Sequence, residues 1–129
     1  MRTKWIQALF VIAAAYDGLL GLVFLFASEA PFRWFGVTPP NHPGYVQFPA
    51  ALLLIFAVMF LTIAGAPAKN AGLIPYGILL KASYCGVILY HRLGAGLPDM
   101  WMPFCGIDLA FFGLFLLAWR SLRSATDST

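Results

Sequence analysis

Polar residues are so sparse along this chain that four long apolar stretches stand out, at about 5–27, 46–66, 71–90 and 102–119. Each approaches the roughly 20 apolar residues a helix needs to cross the hydrocarbon core of a bilayer. We therefore expect an all-α integral membrane protein, a four-transmembrane-helix bundle with helices at about 5–27, 46–66, 71–91 and 102–120. The whole chain, 1–129, reads as one membrane domain, with a loose Ser/Thr-rich tail over 121–129.

The polar punctuation between the stretches predicts what joins them. Ser28 as N-cap, an acid and a proline in the first turn and Gly36 as stop predict a short interfacial helix at about 29–36. Its Phe32, Trp34 and Phe35 are expected in the headgroup region, with Arg33 reaching outward. Pro39, Pro40 and Pro43 then end any helix. Gln47 and Pro49 fall in the first turn of the second span, where proline is tolerated. That span is apolar on all sides, so we expect it to be the most lipid-exposed. The short connection 65–70 predicts that the second and third spans are antiparallel neighbours, and Pro75 is expected to kink the third.

Composition narrows the class further. Of 129 residues 61% are hydrophobic and only 10% charged, against about 25% charged in an ordinary soluble domain, which excludes a soluble globule. Arg2, Lys4 and the alanines 13–15 resemble a signal peptide, but the apolar run continues to Ala27, and a retained first helix is expected. With the N-terminus inside, Arg2, Lys4, Lys69, Arg120 and Arg123 lie inside and only Arg33 and Arg92 outside, so both termini are expected in the cytoplasm. The net charge of +3 thus reflects topology, and no basic, aromatic-interleaved surface suggests a nucleic-acid partner. Cys85 and Cys105 read as buried thiols, because a hairpin centred near residue 97 sets Cys85 opposite about residue 110.

Three ionisable residues interrupt the apolar stretches: Asp17, Lys81 and Asp108. An ammonium at mid-bilayer costs roughly 2.5–3.5 kcal/mol, so Lys81 requires a partner, water or a role. At 1.5 Å per residue from the outer helix ends, Asp17 and Lys81 lie about 15 Å deep and Asp108 about 9 Å, a difference a lysine stem can span. All three are expected to share one polar pocket. Ala13, Asp17 and Gly21, and likewise Gly77, Lys81 and Cys85, form small-residue stripes that let backbones approach. Tyr16 and Tyr84 are placed to add hydroxyls to the network, and Phe104, Phe111, Phe112 and Phe115 offer an aromatic wall for a flat lipophilic ligand. Such a network is equally a device that fixes helix register, or a coupled proton site. His42 and His91 lack a third ligand at metal-binding spacing and read as ordinary loop residues, so no metal is expected.

The Phe32–Gly36 segment followed by Pro39–Asn41, Lys81, the Gly-Leu-Pro of 96–98 and the Ile107–Phe112 segment resemble a family of small four-helix bacterial inner-membrane proteins, loosely DoxX-like. The resemblance covers nearly the whole chain and implies a bacterial inner (plasma) membrane, membrane-bound redox complexes and quinone chemistry. Asp17 lies outside it and rests on depth alone. The expectation is a non-enzymatic bundle that binds a quinone- or lipid-like ligand, or serves as accessory subunit of a larger membrane complex. A small proton-coupled transporter or channel, working as a homo-oligomer, and an intramembrane acid/base enzyme stand as alternatives. No cofactor is specified by any motif.

Overall fold

The computed structural model describes residues 2–127, and among them every regular element is helical. Helix α1 runs Arg2–Phe26, α2 Ala30–Phe35, α3 Gly44–Gly65, α4 Ile74–Leu93 and α5 Met102–Asp127, with 3₁₀ turns at Ala71–Leu73 and Asp99–Trp101. Four segments are long and apolar enough to cross a membrane, Thr3–Phe26, Gly44–Gly65, Ala71–Leu93 and Asp99–Ser124, with mean hydropathies of 2.2, 2.4, 1.5 and 1.8. The α3 span buries 28% of its most apolar window, the same share as the third and fourth spans, so it shares its high exposure with them and does not stand out.

Neighbours follow the chain order except at the middle connection, where the expected pairing of the second and third spans does not form. Helix α1 lies along α3 and α4 along α5, whereas α3 and α4, despite their short connection, approach only slightly. Small residues explain the first pairing: a Cβ at Gly21 would stand 2.9 Å from the Ala50 carbonyl oxygen, and one at Gly18 3.5 Å from Ala57. Backbones that close admit no side chain between them. The Gln7 amide donates to the Ala64 carbonyl at 3.1 Å and the Gln47 amide to Leu25 at 3.4 Å, which ties both ends of this antiparallel pair. Between α3 and α4 the ring of Phe60 fills the notch at Gly77, where a Cβ would meet Cε1 at 2.8 Å. A ring in the gap keeps those two axes apart. The small-residue stripe on α4 therefore admits an aromatic side chain rather than another backbone.

The ends of the elements also differ from the sequence reading for local reasons. Glu29, not Ser28, occupies the N-cap of α2, with no side-chain cap bond, because the chain reverses at once through Ala30 N–H to Ala27 carbonyl. Gly36 at φ 66° closes α2: its N–H reaches Arg33 and the next N–H, Val37, reaches Phe32 at 2.8 Å, a Schellman pair that needs the left-handed residue. Phe32 is not at the rim but buried, edge-on to Phe24 and Trp101, while Trp34 and Phe35 face outward. Pro75 stands in the first turn of α4, where a proline removes no intrahelical hydrogen bond, and Pro49 lies in the second turn of α3 on an exposed face. The expected loose tail is helical through Asp127, continuing past Leu122, which is buried, and Arg123, whose guanidinium lies 4.8 Å over the Trp119 ring one turn earlier. Residues 128–129 lie outside the described residues.

Candidate functional site

Each helix of the bundle places its buried residues on one stripe, and on three of those stripes a charge stands where an apolar residue would suffice. On α1 the stripe runs through Phe10, Ala13, Ala14, Asp17 and Phe24; on α4 through Ile74, Ile78, Lys81, Cys85 and Ile88; on α5 through Cys105, Asp108, Phe111 and Phe115. These are i, i+3/i+4 spacings, so the same periodicity that packs the core aims the three charges inward.

They converge on one nitrogen. Lys81 Nζ donates to both Asp17 carboxylate oxygens at 2.9 Å and to Asp108 Oδ1 at 3.0 Å. An ammonium has three N–H groups, and all three are used. Aromatic faces enclose the rest of it: the ring centroids of Phe111, Tyr16 and Phe60 lie 5.2, 5.5 and 5.9 Å from Nζ. A cation within about 6 Å of a ring face is attracted by its quadrupole, so the rings offset part of the lost hydration.

The triad is not evenly sealed. Asp17 and Lys81 are 1% exposed and Asp108 7%. Of the four carboxylate oxygens, Asp108 Oδ2 alone accepts no hydrogen bond among the described residues. Asp108 is thus the side on which the triad can be reached.

The other residues singled out in the sequence divide between this centre and elsewhere. Tyr16 contributes its ring, but its buried hydroxyl has no hydrogen-bond partner among the described residues. Tyr84 does not join the network, because its hydroxyl donates to the Trp101 carbonyl at 3.0 Å and thereby ties α4 to the 3₁₀ turn before α5. Phe111 faces Lys81, and Phe115 is core, stacked on Phe10 at 4.7 Å. Phe112 is half-buried against that core, and Phe104 stands apart, edge-on to Phe24 at 6.5 Å, so the four phenylalanines form no common wall. Cys85 donates to the Cys105 carbonyl at 3.4 Å, so it lies opposite residue 105 and not 110; both thiols are free and buried. The 3₁₀ turn before α5 rises about 2.0 Å per residue against 1.5 Å in an α-helix, which shifts the register of the hairpin so that an earlier residue of α5 meets Cys85. His42 Nδ1 accepts from the Gly44 N–H at 2.9 Å, and no cluster of metal-ligating residues occurs among the described residues. Arg92 pairs with Asp99 on the exposed loop side.

Phe60 was not marked by the sequence, although it caps Lys81 and fills the Gly77 notch. One glycine four residues before a buried lysine hints at a close neighbour, yet nothing in the chain says which ring supplies it.

Because the two acids are bonded so differently, their neutral variants should separate. Asp17→Asn disturbs two charge-assisted bonds and is expected to cost about 1.5–3 kcal/mol. Asp108→Asn leaves a balanced Lys81–Asp17 pair and is expected to stay within about 1 kcal/mol of the parent. Chemical denaturation in nonionic detergent, followed by circular dichroism, measures both.

Compared with protein-family models, curated proteins and solved structures, the chain matches none.

Proposed function

We propose that this chain is an integral membrane protein that crosses the bilayer with four helices and binds a lipophilic small molecule, its polar head seated at the Asp108 edge of the triad. The hydropathy of the four spans supports insertion, because such surfaces find their lowest free energy in lipid. Lys4, Lys69, Arg120 and Arg123 share the end of the bundle at which α1 begins and α5 closes, and the positive-inside rule makes that end cytoplasmic. The plasma membrane of a bacterium is the setting this reading adopts.

The observation that carries the binding reading is the unfilled oxygen of Asp108, the least buried member of the triad. A register device requires only closed bonds, whereas an accessible acceptor at the rim of a buried charge centre is a docking point. Polar groups that converge in an apolar, aromatic surround are the usual makings of a small-molecule site. The test is native mass spectrometry of the full chain extracted from membranes with nonionic detergent. A co-purifying small molecule that is retained in the parent and lost in Asp108→Asn, with helix content unchanged, is the expected result; no bound species in the parent overturns the reading.

One specific observation favours a second reading. Two carboxylates face one ammonium, so with both acids ionised the triad carries one negative charge, which a single proton cancels. A proton-coupled transporter would use that site, and proteoliposomes loaded with a pH-sensitive dye would then acidify in the parent and not in Asp108→Asn.

A further inference from the structure

The bonding of the triad restricts the chemistry of whatever binds there. This step rests on the binding reading above and sharpens it. Lys81 has no fourth N–H, and its three are committed to Asp17 and Asp108. A head group arriving at the Asp108 edge therefore meets an acceptor and no free ammonium donor. A ketone, a quinone-type carbonyl, a carboxylate or a phosphate would have to break a charge-assisted bond of Lys81 to gain one, and would otherwise find a single neutral donor, the Tyr16 hydroxyl. A head that donates meets no such cost.

Charge points the same way. With both acids ionised the centre holds an excess of one negative charge within an apolar surround, and a cation neutralises it where an anion or a dipole does not. The local aromatic surfaces suit the same guest. Tyr16 packs its ring at 5.6 Å on Phe111, the residue one turn beyond Asp108, and its buried hydroxyl has both a lone pair and a proton without partner. A hydroxyl can accept the second N–H of an ammonium whose first goes to a carboxylate. Phe104 and Phe112, each half-buried and one turn from Asp108 on α5, border the side that an alkyl tail would follow.

We infer that this site takes a lipophilic amine: a long apolar tail bearing a protonated primary or secondary amine, whose N–H is donated to Asp108 Oδ2 and Tyr16 Oη. The unfilled acceptor, the unpartnered hydroxyl and the unbalanced charge are three separate observations that one ammonium answers together.

The experiment compares four probes of equal tail length, a primary alkylamine, an alkyltrimethylammonium, a methyl ketone and a carboxylate, by equilibrium binding to the full chain in nanodiscs of zwitterionic lipid. The amine should bind the parent, the trimethylammonium more weakly because it has charge and no N–H, and the ketone and carboxylate not at all. Asp108→Asn should weaken the amine by about tenfold or more, the equivalent of one charge-assisted hydrogen bond. Tyr16→Phe, which removes only an unpartnered hydroxyl and so preserves the fold, should weaken it less. Ketone or carboxylate binding without amine binding overturns the amine and leaves the binding site standing. Equal amine binding to parent and Asp108→Asn also overturns it, as adsorption to the bilayer. Binding of no probe, with no molecule retained on purification, sinks both the amine and the site.

Discussion

Lys81→Met is expected to destabilise the bundle by roughly 3–5 kcal/mol, among the largest effects available to a single substitution in this chain. Methionine fills nearly the lysine volume, so packing is held roughly constant and the loss isolates the charge. What remains is Asp17, 1% exposed, facing Asp108 with no cation between them and no N–H for three oxygens that had been filled. Two carboxylates cannot both stay ionised there, and either repulsion or neutralisation removes the attraction that drew α1 and α5 to α4. The measurement is the denaturation midpoint in nonionic detergent. A second variant separates charge from architecture: Asp17→Asn/Lys81→Met/Asp108→Asn removes every charge at once and should recover much of the loss, because replacing a whole buried ionic cluster is far milder than breaking one. A midpoint for Lys81→Met within about 1 kcal/mol of the parent would show that the triad does not hold the helices together.

That the three charges would meet was legible from depth along the helices alone, since a helix advances a fixed distance per residue and a lysine reaches a long way. The four long helices were legible for the same kind of reason, as length and apolarity are sums over a window and survive local error. Azimuth and partner were not. Where a span is apolar on every side, as α3 nearly is, no polar face marks which flank meets protein, so the choice of α1 over α4 as the neighbour of α3 had no signal at the level of pattern. It was set by atoms: Gly21 against the Ala50 carbonyl brings one pair together, and Phe60 in the Gly77 notch holds another apart. Tyr84 shows the same limit, for it has the depth to join the network but turns instead to the Trp101 carbonyl, an acceptor that exists only because a 3₁₀ turn precedes α5. The hairpin register that brings Cys85 to Cys105 was hidden in that turn too.

Phe60 gives the second large effect, and it tests the ring that the sequence left unmarked. Its side chain is fully buried, 5.8 Å from the Phe10 ring, 5.3 Å from Phe115 and 5.9 Å from the Lys81 nitrogen. Truncation to alanine leaves a cavity that four helices must collapse to fill, and Phe60→Ala is expected to cost roughly 3–5 kcal/mol. Gly77→Ala approaches the same contact from the other side: the added methyl would stand 2.8 Å from Phe60 Cε1, with Phe115 3.4 Å away, and overpacking of this kind costs roughly 1–3 kcal/mol. The two should not add. In the Phe60→Ala background the Gly77 methyl meets space instead of a ring, so its own cost should vanish or reverse, and a double-mutant cycle on denaturation midpoints should return a coupling of about 1–3 kcal/mol. Additive losses would mean that the ring does not sit in the notch, and with it would fall the reason α3 and α4, though consecutive along the chain, pack on other partners and leave room for the charges between them.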